Sequence, residues 1–134
     1  MDGRRPCRRT YIGHKDVFKN RLDIYTLQAY KRIMFTFIES AAFSRELSHY
    51  LDDEEYGELQ QYLINDPEAG DTIPGSGGVR KLRWKRQGMG KRGGIRIIYY
   101  VMNARNEIWL LTLYAKSVHD NIPAHIVRAM KERF

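Results

Sequence analysis

Between Arg80 and Arg96 the chain carries eight basic residues and no acidic one. Lys81, Arg83 and Lys85 alternate with Leu82 and Trp84, so an extended strand there presents a basic face and an apolar one. The glycine-rich stretch from Gln87 to Gly94 adds Lys91 and Arg92, and Arg96 enters the apolar run that follows. These residue types suit phosphate chemistry. A guanidinium clamps two phosphate oxygens at once, whereas lysine is a compact point charge whose pKa falls beside other cations. Such a block attracts a polyanion through counterion release and steers its approach. The plainer reading is a solvated surface, with Lys91 and Arg92 as ordinary loop charges and Arg96 paired to an acidic helix residue.

Other chemistries find less support. His14, His49, His119 and His125 form no evident acid–base pair, and the spacing of His119 and His125 suits neither a metal nor a dyad. No metal or other cofactor is expected. The single cysteine, Cys7, builds neither a disulfide framework nor a cysteine-based zinc site. Gly75-Ser76-Gly77-Gly78 lacks the GxxxxGK[ST] pattern of a phosphate-cradling loop.

The 134 residues, 43% hydrophobic and 29% charged, fit one domain. The apolar stretch around Leu110, Leu111, Leu113 and Tyr114 is far short of the ~20 residues of a membrane-spanning helix. With no apolar secretion segment, a reducing, cytoplasmic location is expected. The net charge of +7 is unevenly held: residues 1–33 carry nine basic and three acidic groups, and Glu39 to Asp71 carries ten acidic groups against Arg45 alone. Residues 1–33 show no sustained period, and a compact pattern begins at Met34. Either the first 33 residues are a basic arm that adds affinity for nucleic acid, or Met34 is the true initiator; the second reading is favoured. The expected division is an extension over 1–33, disordered or mis-started, and a domain over 34–134.

The elements that must position the basic residues are legible in outline. Met34 to Glu39 alternates as a strand. Ser40 can cap a helix with Phe43, Leu47 and Leu51 along one stripe. Asp52 and Glu55 resemble a capping box that opens a second helix with Tyr56, Leu59 and Leu63 on one face, stopped at Asn65-Asp66-Pro67. A glycine-rich loop follows, then strands over Val79–Lys85, Ile95–Met102 and Glu107–Lys116. Strict alternation in the last strand puts Trp109, Leu111, Leu113 and Ala115 on one face and Ile108, Leu110, Thr112, Tyr114 and Lys116 on the other. Trp84 and Trp109 are assigned to the core. Pro123 can start a final helix with Ile126, Met130 and Phe134 inward. The expected fold is α+β, with two N-terminal helices and a C-terminal helix on a small antiparallel sheet.

Four stretches in this order carry a family resemblance: Leu51 to Tyr56, Asn65 to Lys81, Gly88 to Tyr100, and Leu110 to Lys116. Across about residues 34–134 the chain resembles the RelE/HigB toxins of type II toxin–antitoxin systems, specifically the HigB-type branch. Members of that family start near the position of Met34, and residues 1–33 find no counterpart in them. The resemblance implies a RelE-like fold and an endoribonuclease that enters the A site of a translating ribosome, cuts mRNA and so inhibits translation. It implies as partners the ribosome, mRNA and a cognate antitoxin, usually a helix-turn-helix protein.

RNA supplies its own nucleophile, the 2′-OH beside the scissile phosphate, so such a protein must position the backbone, help remove a proton and stabilise transition-state charge. By match to the family, Arg96 binds the scissile phosphate and Lys116 occupies the basic position at the end of the final strand. Tyr114 precedes it on the same face, able to stack on a base or donate a hydrogen bond, the plainer reading being half-buried sheet packing. Lys91 and Arg92 would contact phosphate, with Lys91 a candidate base. Lys81, Arg83 and Lys85 are expected to bind RNA rather than catalyse. The chain departs from the better-known RelE pattern in having no tyrosine after Tyr114. The competing class is a non-catalytic RNA- or ribosome-binding module. A DNA-binding regulator is disfavoured, because no helix carries a basic base-reading face.

Overall fold

The computed structural model describes residues 10–15, 33–85, 94–118 and 121–134. A six-stranded sheet is formed by β1 (Thr10–Lys15), β2 (Ile33–Glu39), β3 (Asp71–Thr72), β4 (Arg80–Lys85), β5 (Gly94–Met102) and β6 (Glu107–Ala115), in the order β1-β2-β6-β5-β4-β3. Helices α1 (Ala41–Tyr50) and α2 (Asp53–Asn65) follow β2, and α3 (Ala124–Glu132) follows β6. The class is α+β, with the expected helix order. The sheet is mixed rather than wholly antiparallel, because β2 runs parallel to β6 while the other ladders are antiparallel. The intervening helices carry the chain across the sheet between these two parallel strands.

Both N-terminal helix starts form as their residues dictate. The Ser40 hydroxyl oxygen accepts from the Phe43 amide at 3.0 Å. Asp52 and Glu55 make a reciprocal capping box: the Glu55 amide donates to Asp52 Oδ1 at 2.7 Å and the Asp52 amide to Glu55 Oε1 at 3.0 Å. Phe43, Leu47 and Leu51 of the first stripe and Tyr56, Leu59 and Leu63 of the second are all buried. They pack on Phe35, Phe37, Leu82, Ile95, Ile97 and Tyr99, so α1 and α2 cover one face of the sheet. Beneath them, buried Glu39 accepts hydrogen bonds from the Ser44 hydroxyl and, at 2.6 Å, from the Tyr56 hydroxyl.

The opposite face carries a smaller core of Val79, Ile98, Leu111, Tyr114 and Val127, and α3 closes it. The final helix is phased differently from the sequence expectation. Val127 is its buried anchor, with Met130 and Phe134 packed beside it, whereas Ile126 is 39% exposed. Both residues are apolar, so composition alone does not choose between them; the sheet surface does. Trp109 stacks on Phe134 with ring centroids 4.8 Å apart, and Trp84 packs half-buried against the other core.

The face assignment expected for β6 is overturned by a β-bulge. Ile98 pairs with Thr112 but Tyr99 with Leu110, leaving Leu111 as the extra residue. Ile108, Leu110 and Leu113 therefore lie in the helix-covered core, while Leu111 and Tyr114 join the α3 side with Trp109 beside them. Ser40 fastens the bulge: its amide donates to the Leu110 carbonyl at 3.0 Å and its hydroxyl to the Leu111 carbonyl at 2.6 Å.

Two further elements were not expected. Thr10–Lys15, inside the basic extension, forms a strand antiparallel to β2. Within the glycine-rich connection, Asp71 and Thr72 pair with Lys81 and Arg80. The remainder of that connection is a turn in which Gly75, Gly77 and Gly78 take positive φ and the buried Ser76 hydroxyl donates to the Ile73 carbonyl at 2.6 Å. Lys131 of α3 fastens it, donating to the Gly77 carbonyl at 2.9 Å while its ammonium sits 4.7 Å from the Tyr100 ring centroid.

Candidate nucleic-acid interface

Alternation along β5 turns Ile95 and Ile97 toward α1 and α2, and so turns Arg96 to the opposite face. Cross-strand pairing then sets Arg96 between Arg83 of β4 and Tyr114 of β6, which makes a row across three adjacent strands. One step along, Lys85 pairs with Gly94, whose carbonyl accepts from the Lys116 amide at 3.3 Å. One step the other way, Lys81 lies opposite Ile98. The structure thus brings Lys81, Arg83, Lys85, Arg96, Tyr114 and Lys116 to one end of the sheet. Lys91 and Arg92 lie outside the described residues.

The bulge is what makes this row possible. Ile108 and Leu110 face the helices, and strict alternation from them would carry Tyr114 to that same side. The extra residue at Leu111 restores Tyr114 to the face of Arg96.

Arg96 is 9% exposed, and its guanidinium donates to the Ile95 carbonyl at 3.4 Å. Among the described residues no carboxylate pairs with it, and its cross-strand neighbour Arg83 is a like charge. Pairing with an acidic helix residue, the plainer reading of Arg96, is overturned: α1 and α2 lie across the sheet from its side chain. A buried cation opposite another cation is costly without an anion between them. Arg83, Lys85 and Lys116 are exposed around it.

Beside the row opens a cleft of about 360 Å³ between β3, β4 and the approach to α3. Asp71, Ile73, Lys81, Tyr114, Asn121 and Ile122 are among its lining residues. Lys81 Nζ donates to Asn121 Oδ1 at 2.6 Å across its rim. The sequence reading did not mark Asp71, Ile73, Asn121 and Ile122 as site residues: the first two fall in the stretch read as a glycine-rich loop, of which Asp71 proves to be strand, and the last two precede α3 without a motif.

The turn that delivers Asp71 is held by Tyr99. Its hydroxyl donates to the Pro67 carbonyl at 2.7 Å and accepts from the Gly70 amide at 2.9 Å. Burial pushes the Tyr99 pKa up to about 12, against the lowering effects of the Gly70 hydrogen bond and the Arg80 charge. Gly70 is required by close approach, because a Cβ there would lie 2.9 Å from the Lys81 carbonyl oxygen and 3.0 Å from the Tyr99 ring. Arg80 donates to the carbonyls of Gly70, at 2.6 Å, and Glu68, at 3.2 Å.

Among the described residues there is no cluster of three or more histidine, cysteine or carboxylate side chains able to hold a metal ion. No described helix is long and apolar enough to cross a membrane.

Fold and geometry together define a small α+β protein with a cationic sheet end flanking a cleft of mixed apolar and polar lining. No family model matches the chain. Among solved structures it is similar to a doubly substituted variant of the E. coli toxin RelE in the free state, at 13% identity and a TM-score of 0.45, over 71% of this chain and 94% of that one. A likeness of that size bears on neither chemistry nor partners.

Proposed function

We propose that the chain is the toxin of a type II toxin–antitoxin system, a ribosome-dependent endoribonuclease of the RelE/HigB kind that cuts translated mRNA in the A site. The observation that carries this reading is Arg96, buried between Arg83 and Tyr114 with no carboxylate partner among the described residues. A phosphodiester seated there would place an anion between Arg83 and Arg96. The four sequence stretches that resemble the family support the same reading.

In this mechanism the 2′-oxygen of the RNA attacks the adjacent phosphorus and the bond from phosphorus to the 5′-oxygen breaks. The products are a 2′,3′-cyclic phosphate and a 5′-hydroxyl. The 2′-OH proton leaves to a base, for which Lys91 is the candidate, and the departing 5′-oxygen takes up a proton. Arg96 and Lys116 face the negative charge that grows on the phosphate oxygens, and Tyr114 orients the substrate. Lys81, Arg83, Lys85 and Arg92 hold the RNA backbone. The partners in this reading are the ribosome, mRNA and a helix-turn-helix antitoxin, and the site of action is the cytoplasm.

Inducing the full chain in a bacterial host, with and without Arg96→Ala, and mapping 5′ ends of translated mRNAs tests it. Arg96-dependent cuts inside reading frames are expected, with growth arrest. Arrest without cuts leaves a ribosome-binding inhibitor instead, and the absence of both arrest and cuts overturns the reading as an active toxin.

A further inference from the structure

The cleft shares Lys81, Arg83 and Tyr114 with the cationic row and adds groups that the row lacks. Asp71 brings a carboxylate to it, while Ile73 and Ile122 give it apolar walls and Tyr114 an aromatic one. A carboxylate repels phosphate, and apolar walls offer it no hydrogen bonds. With Lys81 engaged by Asn121 and the Asp71 carboxylate set against the charge of Arg83, the cleft is a weaker phosphate site than the row itself. A flat, uncharged ring carrying hydrogen-bonding groups on its edge matches it better, and about 360 Å³ is ample for one nucleobase.

Lys81 settles which way the Asn121 amide points. An ammonium only donates, so the atom it meets at 2.6 Å is the carbonyl oxygen, and the NH2 of Asn121 is left as a donor. Asp71 contributes only acceptors when ionised. Lys81 lies directly opposite Asp71 on the neighbouring strand, so both polar groups are set by one cross-strand pair. A donor and an acceptor held in this way can read a base edge that offers an acceptor beside an amino or imino N–H.

We infer that this cleft binds one unstacked nucleobase of single-stranded RNA, with Asn121 and Asp71 as the residues that read its edge. The inference rests on the RNA-cleaving reading of the adjacent row and adds to it a division of labour: phosphate on Arg83 and Arg96, base in the cleft. Cleavage then carries a preference at one nucleotide next to the cut, set by Asn121 and Asp71 rather than by the cations.

The test maps cut sites at nucleotide resolution for the full chain, Asn121→Ala, Asp71→Asn and a remote control, Ser48→Ala on the exposed face of α1. Cutting at the preferred base is expected to fall about ten-fold relative to the other bases in Asn121→Ala, the loss of one base-reading hydrogen bond. Asp71→Asn, which exchanges an acceptor-only group for one that also donates, is expected to change which base is preferred. The Ser48→Ala pattern should match that of the unaltered chain. If both cleft variants cut with the original preference, the base site is overturned while the nuclease reading stands. If the unaltered chain cuts nothing, the nuclease reading fails, and the cleft is judged by nuclear magnetic resonance titration of the full chain with the four nucleoside 3′-monophosphates. Millimolar nucleotide should shift the Asn121 side-chain amide unequally among the four bases; equal or absent shifts overturn the base site.

Discussion

Arg96 sits where a charge is expensive, and that cost is itself testable. Replacing it by Met keeps the volume and removes a buried cation that faces Arg83, so thermal melting should show unchanged or raised stability while RNA cleavage falls by about 100-fold or more. A lowered melting temperature would mean that Arg96 is held by a partner in the free protein. Tyr99 makes a pH prediction of definite sign. Its pKa is raised from 10.0 to about 12, so the neutral phenol is the form the fold favours. The associated stability is complete below pH ~10 and is lost as pH rises through ~12; denaturant midpoints measured across that window should fall. Tyr99→Phe should remove this dependence at a cost of about 1 kcal/mol for the hydrogen bonds to Pro67 and Gly70. The alternation that brings Lys81, Arg83 and Lys85 to one face is legible in the sequence, because period two needs no knowledge of the rest of the fold. The isolation of Arg96 from every acidic helix is not, since it depends on which sheet face those helices take.

At the scale of elements, Ser40 has two tasks that a single residue type performs. It caps α1 and it pins the Leu111 bulge, so Ser40→Ala should cost about 1–2 kcal/mol in denaturant unfolding. It should also loosen Tyr114 relative to Arg96, visible as faster amide exchange at the end of β6. Gly70→Ala places a methyl against the Lys81 backbone, which cannot swing aside as a side chain would. A loss of about 1–3 kcal/mol is expected in the same assay. Both helix caps and both N-terminal apolar stripes are readable because capping and period 3.6 are local. The bulge is not, since Trp109 to Leu113 contains no glycine, and its one polar residue, Thr112, fits strict alternation equally well. The phase of α3 is hidden for a related reason: Ile126 and Val127 are neighbours of similar hydrophobicity, and only the surface beneath selects one.

Across the whole molecule, the acidic helix α2 and the basic row occupy opposite faces of one sheet. RNA affinity should therefore fall steeply with salt, and each of Lys81, Arg83 and Lys85 changed to Ala should lower the slope of log K against log salt by about 0.7. An unchanged slope in all three variants would place the RNA elsewhere. β1 extends the sheet beyond β2, and residues that look like a basic tail by composition thereby shield an edge. Its one short run, Thr10 to Lys15, is broken by Gly13 and lacks the apolar face that would mark a strand, which is why pairing rather than pattern reveals it.

The parallel ladder of β2 with β6 joins residues about seventy positions apart, and every strand that bears the cationic row follows α2 in the chain. During synthesis the sheet cannot close until β6 has left the ribosome, because β6 lies between β2 and β5 and pairs with both. Long-range pairing of this kind is also slow to form. A nascent chain can align Arg83 with Arg96 through the local β4–β5 ladder, but Tyr114 joins them only after β6 has emerged. By this topology the cationic row is the last part of the sheet to be completed, because it waits for the strand that carries Tyr114.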